Sequence, residues 1–506
     1  MTPLSRRTVL RSAAIAGGAA LGVSTARPAV AADTAAIAFI GATVVDGTGA
    51  LPKTDQTLVV RGDRIVALGP RERTPVPRGA RIVEVAGKYV IPGLFDSHAH
   101  SGEWADISPR LNIANGVTTV RELFGMPHLH EWRGRVDAGT MLGPRSVIAS
   151  RIIDGPATTG GPEFLTVVTT DAEARAAVRK ARKSGADFVK VYSGLPLDLY
   201  DAVADESRRI GIRFAGHCPD AVPLAHAAAA GQRSVEHLYS TSYSASTRED
   251  EIRRLIAEGG GERGDLLGWI TRIHRLEWMA AGSHSPRKAA RLFATLVRRG
   301  VRMVPTLVVN RVMDRPGEVD TADPRLKYLP AAVTGYWAQA FQSFFVDSRT
   351  PAEQAEWHAL LDFRLEFTGA MSRAGVPILV GTDGGDVPYV FPGFGVHDEL
   401  ANLVEAGLSP MRALQAATVE PARFLGLDRL LGTVEQGKAA DLVVLDADPL
   451  ADIANTRRIH AVVTRGRLIT AGERTLILAD VERAAAAVDR AVPVKGGCCF
   501  RGARKG

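Results

Sequence analysis

Six side chains that can bind a metal ion lie at the ends of, or inside, short apolar runs: His98, His100, Lys190, His217, His237 and Asp383. The first two follow the run from 90 to 97, and residues i and i+2 of a strand face the same side. Both imidazoles can therefore approach one ion. A single His-x-His pair is weak evidence, because polar residues commonly follow a strand.

Lys190 lies inside the apolar run from Phe188 to Tyr192. A lysine amine within a central strand is costly to bury unless it is paired, neutralised or modified. Reaction with CO2 would convert the amine to a carbamate, whose two oxygens suit a bridge between two metal ions. An edge strand that leaves the amine in solvent is the alternative interpretation.

His217, His237 and Asp383 each end a short apolar run. Taken one at a time, each histidine is more often a buried core residue than a ligand, and the aspartate could equally be a turn former. Together with His98 and Lys190, they end the first, fourth, fifth, sixth and eighth of eight candidate strands. Active-site side chains of a barrel collect at the carboxyl ends of its strands, so the pattern predicts one shared metal site.

The central part of the chain alternates strand and helix patterns, which is typical of a parallel sheet. Helical segments at 171–183, 197–210 and 221–230 separate most of the candidate strands, and the stretches 241–300 and 310–370 are long enough for helical excursions over a barrel mouth. Eight such units predict an α/β fold with a (β/α)8 TIM-like barrel over residues 91–431. The candidate strands are Tyr89–Phe95, Val117–Leu123, Arg145–Ile152, Phe188–Tyr192, Arg213–His217, Ser234–Leu238, Arg302–Val308 and Pro377–Thr382.

Short β runs punctuated by glycine occur on both sides of this central part, at 36–90 and at 440–470. Such strands cannot bury one face alone, so separated segments with the same character are expected to pair. We therefore expect residues 33–90 and 432–480 to form one small flanking β-sandwich, followed by a C-terminal tail at 481–506.

The two ends of the chain carry most of its net charge of +7. Residues 1–32 contain four arginines and no acids, and residues 494–506 contain four basic residues and no acids. The body of the chain is near neutrality and offers no electrostatic footprint for nucleic acid. Three cysteines, of which Cys498 and Cys499 are adjacent, make no disulfide framework.

The N-terminus has the pattern of an export signal. Paired arginines in SRRTVL at 5–10 precede an Ala/Gly-rich apolar stretch, and AVAA at 29–32 ends it. This pattern predicts a cleavable signal of the twin-arginine route over residues 1–32, and a periplasmic or secreted protein without membrane association after cleavage. A membrane anchor or an amphipathic tail is the alternative, but the apolar run is short for a bilayer.

The order of these residues along the chain resembles the amidohydrolase superfamily of metal-dependent hydrolases. The resemblance is carried by residues 92–100 (PGLFDSHAH), Gly381-Thr382-Asp383 and residues 437–446 (GKAADLVVLD), and it covers the chain from about Ile37 to Thr470. Residues 397–400 (HDEL) and 405–410 (EAGLSP) are most similar to the imidazolonepropionase-like and Xaa-Pro/Xaa-Arg dipeptidase-like branch.

The resemblance implies two divalent metal ions. His98, His100 and Asp383 would hold one ion, His217 and His237 the other, and a carboxylated Lys190 would bridge them. Zinc is the expected metal, although these ligands also suit manganese and iron. Such a pair lowers the pKa of a bridging water to give hydroxide at neutral pH, and Asp383 would act as general acid and base.

The expected reaction is hydrolysis of an amide-type C–N bond in a small molecule, with a dipeptide or an N-acyl amino acid as the leading substrate. Opening of a cyclic amide or lactone is an alternative, and an exported binding protein without catalysis is an alternative of another class. The sequence leaves the oligomeric state open and allows a homo-oligomer.

Four further residues are candidates for binding substrate. Tyr239, two residues after His237, could polarise the scissile carbonyl, and Tyr192 has the same relation to Lys190. Arg151 could pair with a substrate carboxylate, and His397 could line the pocket. Packing is the alternative role for each of them.

Overall fold

The computed structural model describes residues 35–161, 164–259 and 263–491. The expected export signal at 1–32 and the adjacent Cys498 and Cys499 lie outside these residues. The strands within them are β1 Ile37–Val44, β2 Lys53–Arg61, β3 Arg64–Pro70, β4 Arg81–Glu84, β5 Tyr89–Pro92, β6 Leu94–Ala99, β7 Val117–Glu122, β8 Arg145–Ile148, β9 Ile152–Asp154, β10 Leu165–Val167, β11 Phe188–Val191, β12 Arg213–Gly216, β13 Ser234–Glu236, β14 Arg302–Val304, β15 Leu442–Leu445, β16 Ile459–Thr464 and β17 Arg467–Ile469.

The helices connect the strands and include the three predicted segments, of which two have the predicted bounds and the third begins at Leu224. They are α1 Ser108–Ala114, α2 Pro127–Asp137, α3 Asp171–Lys183, α4 Leu197–Ile210, α5 Leu224–Ala230, α6 Glu249–Glu258, α7 Leu266–Gly282, α8 Pro286–Arg299, α9 Leu307–Asp314, α10 Ala331–Phe341, α11 Pro351–Arg373, α12 Phe394–Glu405, α13 Pro410–Ala416, α14 Val419–Leu425 and α15 Ala471–Ala491. No helix among the described residues has both the length and the apolar character that a bilayer crossing requires.

A mixed sheet joins the two ends of the described chain. Its strand order is β17-β16-β15-β5-β1-β2-β3, with β4 also paired to β1. The contact between the distant segments is antiparallel and runs from Leu442 opposite Pro92 to Leu445 opposite Tyr89. Phe39, Leu58 and Val444 belong to a buried apolar cluster that this sheet forms on its own.

The central strands form parallel sheets, which confirms the α/β class. One sheet has the order β6-β7-β8 and the other β10-β9-β11-β12-β13-β14. Single parallel bridges continue the pairing, from Ala149 to Phe188, from Met303 to Ile378, and from Gly384 to Ala99. The segment 377–384 therefore lies between β14 and β6, with the carboxyl ends of all these strands at one edge.

Several predicted strands differ from the observed ones. The run Tyr89–Phe95 is divided at Gly93, where backbone bonding changes from Asp441, in the C-terminal segment, to Gly116, just before β7. The run Arg302–Val308 ends at Val304, because Pro305 has no N–H to donate and a helix begins at Leu307. Arg145–Ile152 is interrupted at 149–151, and Pro377–Thr382 pairs through the bridge at Ile378 instead of a continuous ladder.

Candidate metal centre and active site

Four of the six predicted ligands form one buried cluster. Asp383 Oδ1 lies 3.1 Å from His98 Nε2 and 2.8 Å from His100 Nε2, and its Oδ2 lies 3.8 Å from His237 Nε2. One ligand atom from each of His98, His237 and Asp383 lies within 4.8 Å of the other two. His98 and Asp383, which are 285 positions apart in the sequence, therefore converge on one point.

Lys190 and His217 line the same cavity, which has a volume of about 520 Å³. Lys190 lies on β11 with only 1% of its surface exposed. His217 follows β12, and the centre of its ring lies 4.7 Å from that of His237. All six predicted ligands thus face one space, which is called the metal-site cavity below.

Hydrogen bonds fix the orientation of three of these imidazoles. Nδ1 of His98 lies 3.2 Å from Glu236 Oε2, Nδ1 of His237 lies 2.7 Å from Thr306 Oγ1, and Nδ1 of His217 lies 2.7 Å from Ser193 Oγ. Because Nδ1 is engaged, each ring has its Nε2 left for a metal ion, which is the usual arrangement of ligating histidines.

The protonation of the cluster also fits a divalent cation. Burial lowers the pKa of His237 to about 3 and that of His217 well below its ordinary value, so both rings are neutral and keep a lone pair. Burial alone would raise the pKa of Asp383, but the nearby His98 and His100 hold it far below its usual range. Neutral imidazoles around an anionic carboxylate are a donor set that suits zinc and similar ions.

Backbone geometry holds two ligands in an uncommon conformation. His237 has φ 62° and Asp383 has φ 60°, in the left-handed region that residues other than glycine rarely adopt. Such strain is kept only where the surroundings impose it, and it often marks functional sites. Gly381 is part of that surrounding structure, because a Cβ there would lie 2.4 Å from Val304 Cγ1 and 2.7 Å from His98 Cβ.

An ion pair beneath the cluster was missed by the sequence analysis. Arg121 donates from Nη2 to Glu236 Oε1 at 2.6 Å, from Nη1 to Ser234 Oγ at 2.8 Å and from Nε to the Ser97 carbonyl at 2.6 Å. Burial would raise the pKa of Glu236, but Arg121 and His98 hold it well below its ordinary value. The carboxylate that orients His98 is therefore ionised and paired.

Asp96 ties the segment that carries Asp383 to β6. Its Oδ1 accepts from the backbone N–H groups of His98 and Thr382, both at 3.1 Å, and its Oδ2 accepts from Thr382 Oγ1 at 2.6 Å. Burial raises the pKa of Asp96 to about 7. These bonds fix the position of Asp383 relative to His98.

The predicted substrate-binding residues divide into two groups. Tyr239 and Tyr192 line the metal-site cavity. The Tyr239 ring stacks on His237 with centres 5.0 Å apart, and its hydroxyl donates to Met313 Sδ at 3.3 Å. The Tyr192 ring lies 4.1 Å from that of His217.

Arg151 and His397 do not line this cavity, and their predicted roles are corrected. Arg151 lies where the strand is interrupted, is exposed, and donates from Nη2 to the Leu165 carbonyl at 3.1 Å. His397 is buried on α12, with Nδ1 3.0 Å from Thr456 Oγ1 and Nε2 3.0 Å from the Asn115 carbonyl. Its ring is therefore engaged by Thr456 and the Asn115 carbonyl.

A second cavity of about 820 Å³ adjoins the first and is called the adjoining cavity below. His100 and Phe124 line both cavities, with their ring centres 3.7 Å apart. Glu122, at the end of β7, faces the adjoining cavity and accepts from the Ser101 N–H at 3.1 Å. Burial raises the pKa of Glu122 to about 7.

Two helices, α7 and α9, supply much of the remaining wall of the metal-site cavity. Leu266 and Trp269 come from α7, and Val309 and Met313 come from α9. The start of α9 is held by Glu399, which accepts from the backbone N–H groups of Leu307 at 3.0 Å and Val308 at 2.8 Å.

Glu399→Gln should change the pH dependence of stability. Burial raises the pKa of Glu399 from 4.5 to about 8, so its contribution is fully present below 4.5 and is lost as the pH rises through about 8. Glutamine does not titrate, so the free energy of unfolding of the wild type relative to the variant should fall across this range. Urea unfolding at several pH values measures it. Glu405→Gln, an exposed position on the same helix, is the control and should leave the wild-type profile unchanged.

Comparison with known proteins places these residues in a family context. A family model described as "Amidohydrolase family" matches residues 89–469. The chain is 24% identical over 414 residues to the imidazolonepropionase of Pseudomonas putida strain GB-1, a match that covers 79% of this chain and 90% of the relative.

Solved structures share the fold over most of their length. A bottromycin amidohydrolase superposes with a TM-score of 0.69 at 25% identity, covering 89% of this chain and 90% of that one. A Xaa-Pro dipeptidase with methionine bound in its active site superposes with a TM-score of 0.62 at 20% identity, covering 86% of this chain and all (100%) of that one. At that identity the dipeptidase shows the fold alone.

Proposed function

Since the chain belongs to the amidohydrolase family, whose members are metal-dependent hydrolases, we propose that it cleaves an amide-type C–N bond of a small molecule. One observation carries this proposal. Asp383 meets His98, His100 and His237 in a buried cluster that shares its cavity with Lys190 and His217. A carboxylate beside imidazoles can hold a cation and move a proton in the same place.

The proposed cofactor is a pair of divalent cations, zinc by preference, with a carboxylated Lys190 between them. His98, His100 and Asp383 would hold one ion, and His217 and His237 the other. Support comes from the burial of Lys190, 1% exposed, since an unmodified amine is costly there. When bound, such ions lower the pKa of water and polarise a carbonyl.

Asp383 and Tyr239 have distinct proposed roles. The Oδ1 of Asp383 is the atom closest to His98 and His100, whereas Oδ2 lies 3.8 Å from His237 Nε2. Oδ2 is therefore the atom proposed to accept a proton from the attacking water and return it to the leaving nitrogen. Burial raises the pKa of Tyr239 well above 10.0, so its hydroxyl stays protonated. It can exchange the weak thioether acceptor of Met313 for the scissile carbonyl.

The fold and the location complete the proposal. We propose that the parallel bridges close the central sheets into a (β/α)8 barrel over residues 91–431, with residues 33–90 and 432–480 as a flanking sandwich. The N-terminal SRRTVL favours twin-arginine export to the periplasm or the medium. That route carries folded proteins, which suits a chain that must bind metal first.

The function is tested by a substrate panel with metal-loaded and chelated protein. Dipeptides, N-acyl amino acids, blocked peptide amides, cyclic amides and lactones are each incubated, and products are quantified by chromatography. Amide turnover that chelation abolishes and metal restores is the expected result. No turnover of any compound by metal-loaded protein would overturn the proposal and favour a binding protein. A crystal structure with anomalous scattering identifies the ions and shows whether Lys190 carries the added carboxyl group.

A further inference from the structure

The adjoining cavity is placed to hold part of a substrate. It shares His100 and Phe124 with the metal-site cavity, so a substrate whose C–N bond lies at Asp383 would have to pass these two rings to reach it. The residues that line it would therefore determine which amides bind, an inference that rests on the proposed function.

Most of the wall of the adjoining cavity is apolar. Four large apolar side chains line it. Trp104 lies on a loop, Phe164 directly precedes β10, Leu129 lies on α2 and Val333 lies on α10. Surfaces of this kind favour aromatic or branched groups, because such groups leave water when they bind. A substrate that fills this space needs a bulky apolar substituent.

The charged groups around the adjoining cavity are acidic. Glu103, Glu122 and Asp386 line it, and its described lining residues include neither lysine nor arginine. His128 Nε2 is engaged by the Gly102 carbonyl at 2.7 Å. A substrate carboxylate placed here would meet carboxyl groups in place of a basic partner.

Apart from the proposed metal ions, the metal-site cavity offers no positively charged partner for a carboxylate once Lys190 is carboxylated. Lys190 is the one lysine or arginine among its described lining residues, and the proposed carbamate would make it anionic. Arg151, the expected carboxylate partner, is not among the residues that line either cavity and donates to the Leu165 carbonyl. Specificity here would come from the repulsion of a wrong group as much as from attraction of the right one.

We propose that the adjoining cavity receives a bulky apolar substituent without negative charge, so that the preferred substrates are amides that lack a free carboxylate. Blocked peptides and aryl or alkyl amides belong to this class. Dipeptides and N-acyl amino acids with a free acid, the leading substrates expected from the sequence, are selected against.

The charge of the substrate is tested with matched dipeptides. Alanyl-phenylalanine and its C-terminal amide share the same internal bond and differ in one charge. The amide should have a kcat/KM about 10-fold or more above that of the acid, as expected when a like charge is removed from a poorly solvated site. Equal rates, or a faster reaction of the acid, would overturn the inference. No cleavage of any amide would instead refute the proposed function.

Val333 gives a matched pair of variants for the position of the substituent. Val333→Phe should raise KM for alanyl-phenylalanine amide about 10-fold, within the range that small size differences produce in apolar pockets, and leave KM for alanyl-glycine amide within about 2-fold. Val333→Lys should remove most of the preference for the amide over the acid. Val297→Phe and Val297→Lys, at a 42% exposed position of α8, are the controls and should match the wild type. If the two Val333 variants behave like their controls, the substituent lies elsewhere.

Discussion

Replacing Asp383 with asparagine is expected to lower kcat for amide hydrolysis by about 10⁴-fold, the upper end of what one general acid–base group contributes. Asparagine has nearly the same size as aspartate, but its amide cannot accept a proton and return it. Asp383 has φ 60°, and asparagine is one of the residues that tolerate this conformation best. The variant should therefore fold with its backbone unchanged, so that the loss reports the chemistry.

The measurement pairs kcat with the metal content of the same preparation, obtained by elemental analysis. Circular dichroism and the unfolding transition establish that the fold is intact. Asp428→Asn, an exposed position in the turn after α14, is the matched control and should keep wild-type activity. A variant that retains its metal and turns over at the wild-type rate would show that Asp383 has no part in proton transfer.

The ligand cluster could be predicted because it depends on local properties of strands. His98 and His100 have the spacing of one strand face, and His237 and Asp383 directly follow apolar runs. Parallel strands then bring their carboxyl ends together without further information. The count of eight strands was enough to predict that the segment 377–384, which contains the last of them, lies beside β6, which belongs to the first.

The ion pair of Arg121 and Glu236 could have been found by the reasoning applied to Lys190. Each of the two lies inside an apolar stretch, at Val117–Leu123 and at Ser234–Leu238, where an unpaired charge is costly. Which acid pairs with Arg121 could not be decided from the sequence, because Glu122 lies next to it and the order of the strands was not known. A search for opposite charges in buried strands would have proposed the pair as one candidate.

Arg151 and His397 show where the local pattern stops being informative. Arg151 lies at a strand end in the sequence, but the interruption at 149–151 turns its side chain to Leu165. His397 lies on a helix after the last strand segment, and helix rotation decides whether it faces the site or Asn115. Tertiary packing sets both outcomes, and neither is encoded in the spacing of neighbouring residues.

Replacing Arg121 with methionine is expected to lower the free energy of unfolding by about 3–5 kcal/mol at neutral pH, the range for breaking a buried ion pair. Arg121 is 2% exposed, and Glu236 has no exposed surface. Methionine fills much of the space between Phe188 and Phe424, which flank the guanidinium. Most of the loss therefore comes from leaving a carboxylate buried without its cation.

The loss should depend on pH in a defined direction. In the wild type the pKa of Glu236 lies below its ordinary 4.5, so the stability that it contributes is present above that value and is lost in acid. Without Arg121, burial raises this pKa, and the variant loses stability as the pH rises. The difference between wild type and variant should therefore widen from about pH 5 to pH 8.

Denaturant unfolding of a double-mutant cycle separates charge from packing. Adding Glu236→Gln to Arg121→Met removes the unpaired charge and should recover part of the loss, because replacing both partners avoids the burial penalty that replacing one incurs. Arg64→Met breaks an exposed pair with Asp63 at 3.6 Å and should cost at most about 1 kcal/mol at every pH. A loss that is constant with pH and unchanged by Glu236→Gln would mean that Arg121 stabilises the sheet by its bulk alone. In that case the ionised carboxylate behind His98 would need another explanation.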